Sequence, residues 1–277
     1  MTQMTARQKG DGQSMSEFDL IKRLFAPMAD PVSSGDLQDD AACYSPPAKH
    51  DLIISTDALV SGVHFPENAP PEMVAARLVG ANVSDLAAKG ARPVGCVLTL
   101  CVGPHWDSAY LEAFAQALKT QLETYAMPLW GGDTVSGPTA LVSLSVHGVV
   151  PHGEMLTRKG AGPAEDVYVT GTIGDGFLGL KEVQSGVPAA GNVASSAYCA
   201  YASQHRRLNL ARSCANWQPL VWMCRTDWPQ IWIIYAPHRG SPWTSLSPIY
   251  RYQRRERLIF LAVVSGRTCS VAVMIIS

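Results

Sequence analysis

The seven cysteines, at 43, 96, 101, 199, 214, 224 and 269, include no pair at the short spacing of a zinc or redox motif. A metal ribbon or dithiol site is excluded, and a reducing, cytoplasmic home is expected. Long apolar runs are missing too: Leu258–Gly266, among the longest, is too short to cross a bilayer and runs into Arg267. No membrane partner is expected, and no charged-then-apolar signal segment opens the chain. The glycine-rich run Gly171-Thr172-Ile173-Gly174-Asp175-Gly176 has no lysine, so it is not a P-loop. The remaining deficit is regional. Residues 187–277 have no lysine, and Asp227 and Glu256 are their only acids, giving 10 Lys+Arg against 2 Asp+Glu. Residues 1–186 have 12 against 21, so a net charge of −1 conceals halves of −9 and +8.

What is present reads as a globular chain. Its 277 residues, 47% of them apolar, can bury one large core or two modest ones. Residues 1–14 are polar and patternless, which predicts a disordered leader, and Met15, an alternative start, opens a helix with Ser16 as cap. Asp51–Thr56 reads as a strand ending at Asp57. Pro70-Pro71 opens a helix carrying Val74, Leu78 and Ala81, closed by Lys89-Gly90. Val94–Val102 reads as a strand, and Asp107 or Ser108 caps a helix carrying Leu111, Phe114, Leu118 and Leu122. Met127–Trp130 runs into a Gly131-Gly132-Asp133 turn, and Leu141–Val149 alternates as a half-buried strand. The mixture predicts an α/β (α+β) domain over 15–150. A second unit opens at 151 with a strand at Asp166–Thr170 and a helix at Phe177–Gln184. Beyond Gly186 no period persists, and no element is assigned there.

Four acidic motifs punctuate the first half: Asp39-Asp40, Ser55-Thr56-Asp57, Asn82-Val83-Ser84-Asp85 and Gly131-Gly132-Asp133-Thr134. Taken singly, an aspartate after a strand is ordinarily a cap or turn residue. Taken together, hard oxygen ligands beside Gly, Ser and Thr suit Mg²⁺ held against a polyphosphate, because magnesium keeps much of its water and needs few protein ligands. Asn82 and Asp85, three apart on a helix, share a face. The expected chemistry is ATP-dependent phosphoryl transfer. His64 by itself reads as a cap or surface histidine, His147 as structural on the polar side of its strand, and Cys43 as a small buried residue with no base beside it. The tail's arginines and tryptophans do not group on one face, so no nucleic-acid partner is expected.

These motifs, with Gly62-Val63-His64-Phe65 and Leu156-Thr157-Arg158-Lys159-Gly160-Ala161, resemble in order the motif set of thiamine-monophosphate kinase, over about residues 15–186. The resemblance implies a two-domain fold shared with aminoimidazole-ribonucleotide synthetase, whose N-terminal domain has a mixed sheet with flanking helices and pairs into a homodimer. It implies that Asp40, Ser55, Thr56, Asp57, Asp85 and Asp133 bind several Mg²⁺ ions. Gly132, Asp133 and Arg158 would bind ATP, and His64 would contact thiamine monophosphate. The implied reaction passes the γ-phosphate of ATP directly to thiamine monophosphate, giving thiamine diphosphate, with no catalytic side chain beyond those that position and neutralise.

The family's second-half motifs, Asp-x-Ser-Asp-Gly and Ser-Gly-Gly-Asp-Asp-Tyr-Glu, do not occur after Gly186. Residues 151–186 therefore read as the start of a C-terminal domain, and 187–277 as an aberrant tail, expected from its charge reversal to be frameshifted and poorly folded. The alternatives are an inactive dimerising or nucleotide-binding remnant of the kinase, or another ATP-dependent member of the same superfamily.

Overall fold

The computed structural model describes residues 17–157, 166–169, 175–185, 220–223, 232–236, 251–254, 257–260 and 274–275. The chain divides into two compact units at Met155/Leu156. In the first, Glu17–Leu20 (α1) continues through a wider turn at Ile21–Phe25 and a tight one at Ala26–Met28. Ser16, expected to cap it, lies outside the described residues. Pro31–Ser34 (α2) is a single turn whose start is satisfied by Asp30, which accepts from Val32 N and Ser33 N at 3.2 Å each.

His50–Val60 (β1), Arg92–Val102 (β2), Leu129–Ser136 (β3) and Leu141–Pro151 (β4) form a mixed sheet in the order β1-β4-β2-β3. Strand β4 runs antiparallel to β1 and β2, and β3 runs parallel to β2. Pro71–Ala88 (α3) packs on β1 and β4 and against Ser108–Thr124 (α4). Helix α3 is buried on nearly every side, with Val74, Leu78, Val79, Val83 and Leu86 fully enclosed. Such an all-round apolar helix suits a middle layer between a sheet and a second helix. Helix α4 buries only the stripe Leu111, Phe114, Ala115, Leu118 and Leu122. Asp107 is its cap, accepting from Tyr110 N at 2.8 Å. Gly90, at φ +70°, lets the chain leave α3.

Two segments differ from their sequence reading. Strand β1 does not stop at Asp57 but pairs with β4 through Val60. A carboxylate residue is tolerated in mid-strand because its backbone is satisfied: Asp57 N donates to Asn82 Oδ1 at 2.8 Å, and Ser143 Oγ donates to Asp57 O at 3.3 Å. Gly131–Thr134 is not a turn but part of β3, paired with Val97–Leu100 of β2. A Cβ at Gly132 would lie 2.2 Å from Leu98 O, so the glycine permits a close strand approach.

The second unit contains Asp166–Val169 (β5) and Asp175–Ser185 (α5), near the strand and helix expected there. Against the expectation of no elements beyond Gly186, the described residues there form five short strands: Leu220–Met223 (β6), Trp232–Ala236 (β7), Arg251–Arg254 (β8), Arg257–Phe260 (β9) and Met274–Ile275 (β10). They assemble as β5-β7-β6 and β10-β9-β8, all antiparallel. Strands of two to five residues are too short to leave a readable period.

Two tests follow for the first unit. Asn82 is fully buried and also donates to Leu78 O at 2.9 Å. Asn82→Ala should lower the unfolding free energy by about 1–3 kcal/mol, the cost of unpairing buried backbone groups, read from the urea midpoint. At the strand ends, Asp51 Oδ1 meets His152 Nδ1 at 2.8 Å and Asp51 Oδ2 accepts from Gly153 N at 2.8 Å. The Gly153 amide, then His152, holds the Asp51 carboxyl below its ordinary range, and Asp51 raises the His152 imidazole. The imidazole's contribution is complete below its unfolded value and is lost as pH rises through its raised folded value. The carboxylate's contribution is complete above its unfolded value and is lost as pH falls through its lowered one. The pair therefore acts fully between about pH 4 and 6.5. Melting curves of His152→Ala and the parent chain should differ most there and converge as the imidazole deprotonates; a pH-independent gap would contradict the pairing.

Candidate functional site

Strand alternation and helix periodicity decide which site residues meet. Ser55 and Asp57 project from the face of β1 that packs on α3, and both are half-buried. On α3, Asn82 and Asp85 lie one turn apart against that face. The Ser55 hydroxyl donates to Asp85 Oδ2 at 2.6 Å, and Asn82 clasps the Asp57 backbone, with Nδ2 also 3.5 Å from Asp57 O. The seam between β1 and α3 thus gathers two carboxylates and a hydroxyl, fixed by one fully buried amide. Asn82, read from sequence as pointing at the site with Asp85, instead spends its amide on backbone. Its role is to hold β1 and α3 in register.

The other site residues lie elsewhere. Thr56 faces the opposite, open side of the sheet, where Ser145 Oγ donates to Thr56 Oγ1 at 3.1 Å. Asp133 is register-paired with Thr99, which pairs in turn with Ser143, so it belongs to the same open face as Thr56. Both are exposed. Asp40 sits on an exposed bend, its N–H bonded to Asp39 Oδ1 at 2.8 Å. Gly132 adjoins Asp133, and a Cβ at Gly131 would meet nothing within 4 Å, so β3 can be approached closely there. His64 closes the turn after β1: its Nδ1 accepts from Val60 N at 3.0 Å, while Arg77 Nη2 donates to His64 O at 3.4 Å. The Val60 bond, accepted at Nδ1, places the proton of the neutral ring on Nε2, and His64 is exposed. Arg158 lies outside the described residues.

Among the described residues no three His, Cys, Asp or Glu side chains approach closely enough to form a metal cluster. The donor set still fits magnesium: Ser55, Asp57 and Asp85 are hard oxygen ligands at one seam, and magnesium completes its shell with water and phosphate. A second group carries no sequence motif. Tyr44 stacks on Trp130 (centroids 4.7 Å apart, 27° between planes), and Trp130 packs on His147 at 5.0 Å. Burial pushes the His147 imidazole below its ordinary value.

Comparison with known proteins bears on the fold and on the family the chain resembles. Residues 38–150 match the family described as "AIR synthase related protein, N-terminal domain". The chain is 43% identical over 180 residues to the thiamine-monophosphate kinase of Escherichia coli (strain K12), covering 63% of this chain and 54% of that protein. A crystal structure of thiamine-monophosphate kinase from Stenotrophomonas maltophilia K279a superposes with a TM-score of 0.59 at 32% identity, over 65% of this chain and 58% of that one. AaThiL complexed with AMPPCP and TMP has the same fold at 24% identity, with a TM-score of 0.58 over 73% and 63% of the two chains. The chain spans about half the length of the E. coli relative it matches. Residues 38–150 are thus similar to AIR synthase related N-terminal domains, and over 180 residues the chain is similar to a thiamine-monophosphate kinase.

Proposed function

We propose that this chain carries the magnesium- and ATP-binding half of a thiamine-monophosphate kinase, which transfers the γ-phosphate of ATP to the phosphate of thiamine monophosphate. The observation that carries the reading is the Ser55–Asp85 bond at the β1–α3 seam, with Asp57 two residues along the same face. Asp40, Ser55, Thr56, Asp57, Asp85 and Asp133 would hold magnesium. When bound, the metal neutralises the phosphate charge that this acidic half would otherwise repel. Gly132 offers backbone without a side chain beside Asp133 for ATP, Arg158 adds a cation, and His64 turns Nε2–H toward the thiamine phosphate. Since the acceptor is itself a phosphate oxygen, the protein needs no nucleophile; it orients two anions and fixes their separation.

The open face of the sheet supports a homodimer, because Ile54 is 63% exposed and Leu52 and Val135 lie uncovered on the same side. No helix among the described residues is long and apolar enough to cross a membrane, and the reading takes the protein as cytoplasmic. A nucleotide-binding remnant is the second reading, favoured by the absence of Asp-x-Ser-Asp-Gly after Gly186.

Thiamine diphosphate formation from thiamine monophosphate, ATP and Mg²⁺ separates the two. The kinase reading expects product, and a loss of about 100-fold or more in Asp85→Asn and in Asp133→Asn, comparable to removing a charge-stabilising group elsewhere. No product alongside retained ATP binding selects the remnant. Full activity in both variants would overturn the metal assignment.

A further inference from the structure

The excursion that carries Asp39-Asp40 leaves and returns to one dipeptide. At its start, Ala29 bridges Leu129 and Asp30 N donates to Leu129 O at 3.3 Å. At its end, Tyr44 lays its ring on Trp130, the next residue of β3. Between them Cys43 N donates to Ser33 O at 2.8 Å, closing the loop on its own first turn. From 38 to 50 only Tyr44 is withdrawn from solvent.

Trp130 is a rigid platform. It is 5% exposed, and its ring occupies the space above Gly95, where a Cβ would sit 1.9 Å away. Trp130 Nε1 and His147 Nδ1 have no hydrogen-bond partner among the described residues, and ring packing on Tyr44 and His147 holds the indole. Gly131, Gly132 and Asp133 follow at once on the same strand.

We infer that the Tyr44–Trp130 stack is a positioning device, clamping the Asp39-Asp40 loop to the strand that presents Gly132 and Asp133, so that the first and fourth acidic motifs move as one piece. The inference rests on the kinase reading for its consequence, though not for the clamp itself. Tyr44 and Trp130 touch no reacting atom in this scheme. They set where Asp40 stands.

Hydrogen–deuterium exchange of the full chain and Mg²⁺-ATP titration test it together. In Tyr44→Ala, amides of residues 36–44 should exchange about tenfold faster, the effect of losing an aromatic pair worth roughly 1.4 kcal/mol. Mg²⁺-ATP affinity should fall by a similar factor. Tyr44→Phe should match the parent chain, and Asp133→Asn should weaken binding without loosening the loop. Unchanged exchange in Tyr44→Ala overturns the clamp. Faster exchange with unchanged affinity overturns its positioning role. A parent chain that binds no Mg²⁺-ATP overturns the kinase reading, and the exchange arm then decides the clamp alone.

Discussion

The amide of Asn82 is the constraint on which the first unit depends. One side chain, fully buried, accepts from the backbone N–H of Asp57 and donates to the carbonyl of Leu78. It joins the middle of an edge strand to the middle of the central helix. A strand with its ladder on one side only has backbone groups to satisfy on the other, and a helix interior rarely supplies them. Asn82 resolves both needs, and Asp85, one turn on, is thereby brought to Ser55. The packing of the core and the assembly of the seam share this one tie.

The sheet distributes the acidic motifs over more than one surface. Asp57 and Asp85 occupy the helix side, Thr56 and Asp133 the open side, and Asp40 an exposed loop. This dispersion follows from alternation along β1: adjacent residues of Ser55-Thr56-Asp57 must point in opposite directions. In the proposed kinase it suits several ions spread along a polyphosphate better than one compact cluster. The polar row Ser143 and Ser145 on β4 lies on the same face as Thr56, beside the exposed apolar side chains Leu52, Ile54 and Val135.

Much of this was legible in the sequence. Helices α3 and α4 announce themselves through Leu78, Leu86, Phe114 and Leu118, whose spacing survives any tertiary context, and Asp107 was one of two residues read as a cap. The strand ends were misplaced because Asp57 and Gly131-Gly132 carry turn chemistry, yet tertiary bonding from Asn82 and Ser143, and the close approach of Leu98 O, keep them in strands. No local pattern could reveal these partners, which lie 25 and more residues away. Tyr44 on Trp130 was invisible for the same reason. The short strands beyond Gly186 have too few residues for a period, so their pairing could only emerge from the folded chain.

The most direct test of the seam as a metal site is anomalous diffraction from crystals grown with Mn²⁺ and a non-hydrolysable ATP analogue. Manganese takes the same oxygen ligands as magnesium and can be located without ambiguity. An anomalous peak within bonding distance of Asp57 and Asp85 is the predicted result. Peaks confined to other carboxylates, with the Ser55–Asp85 hydrogen bond intact, would contradict it.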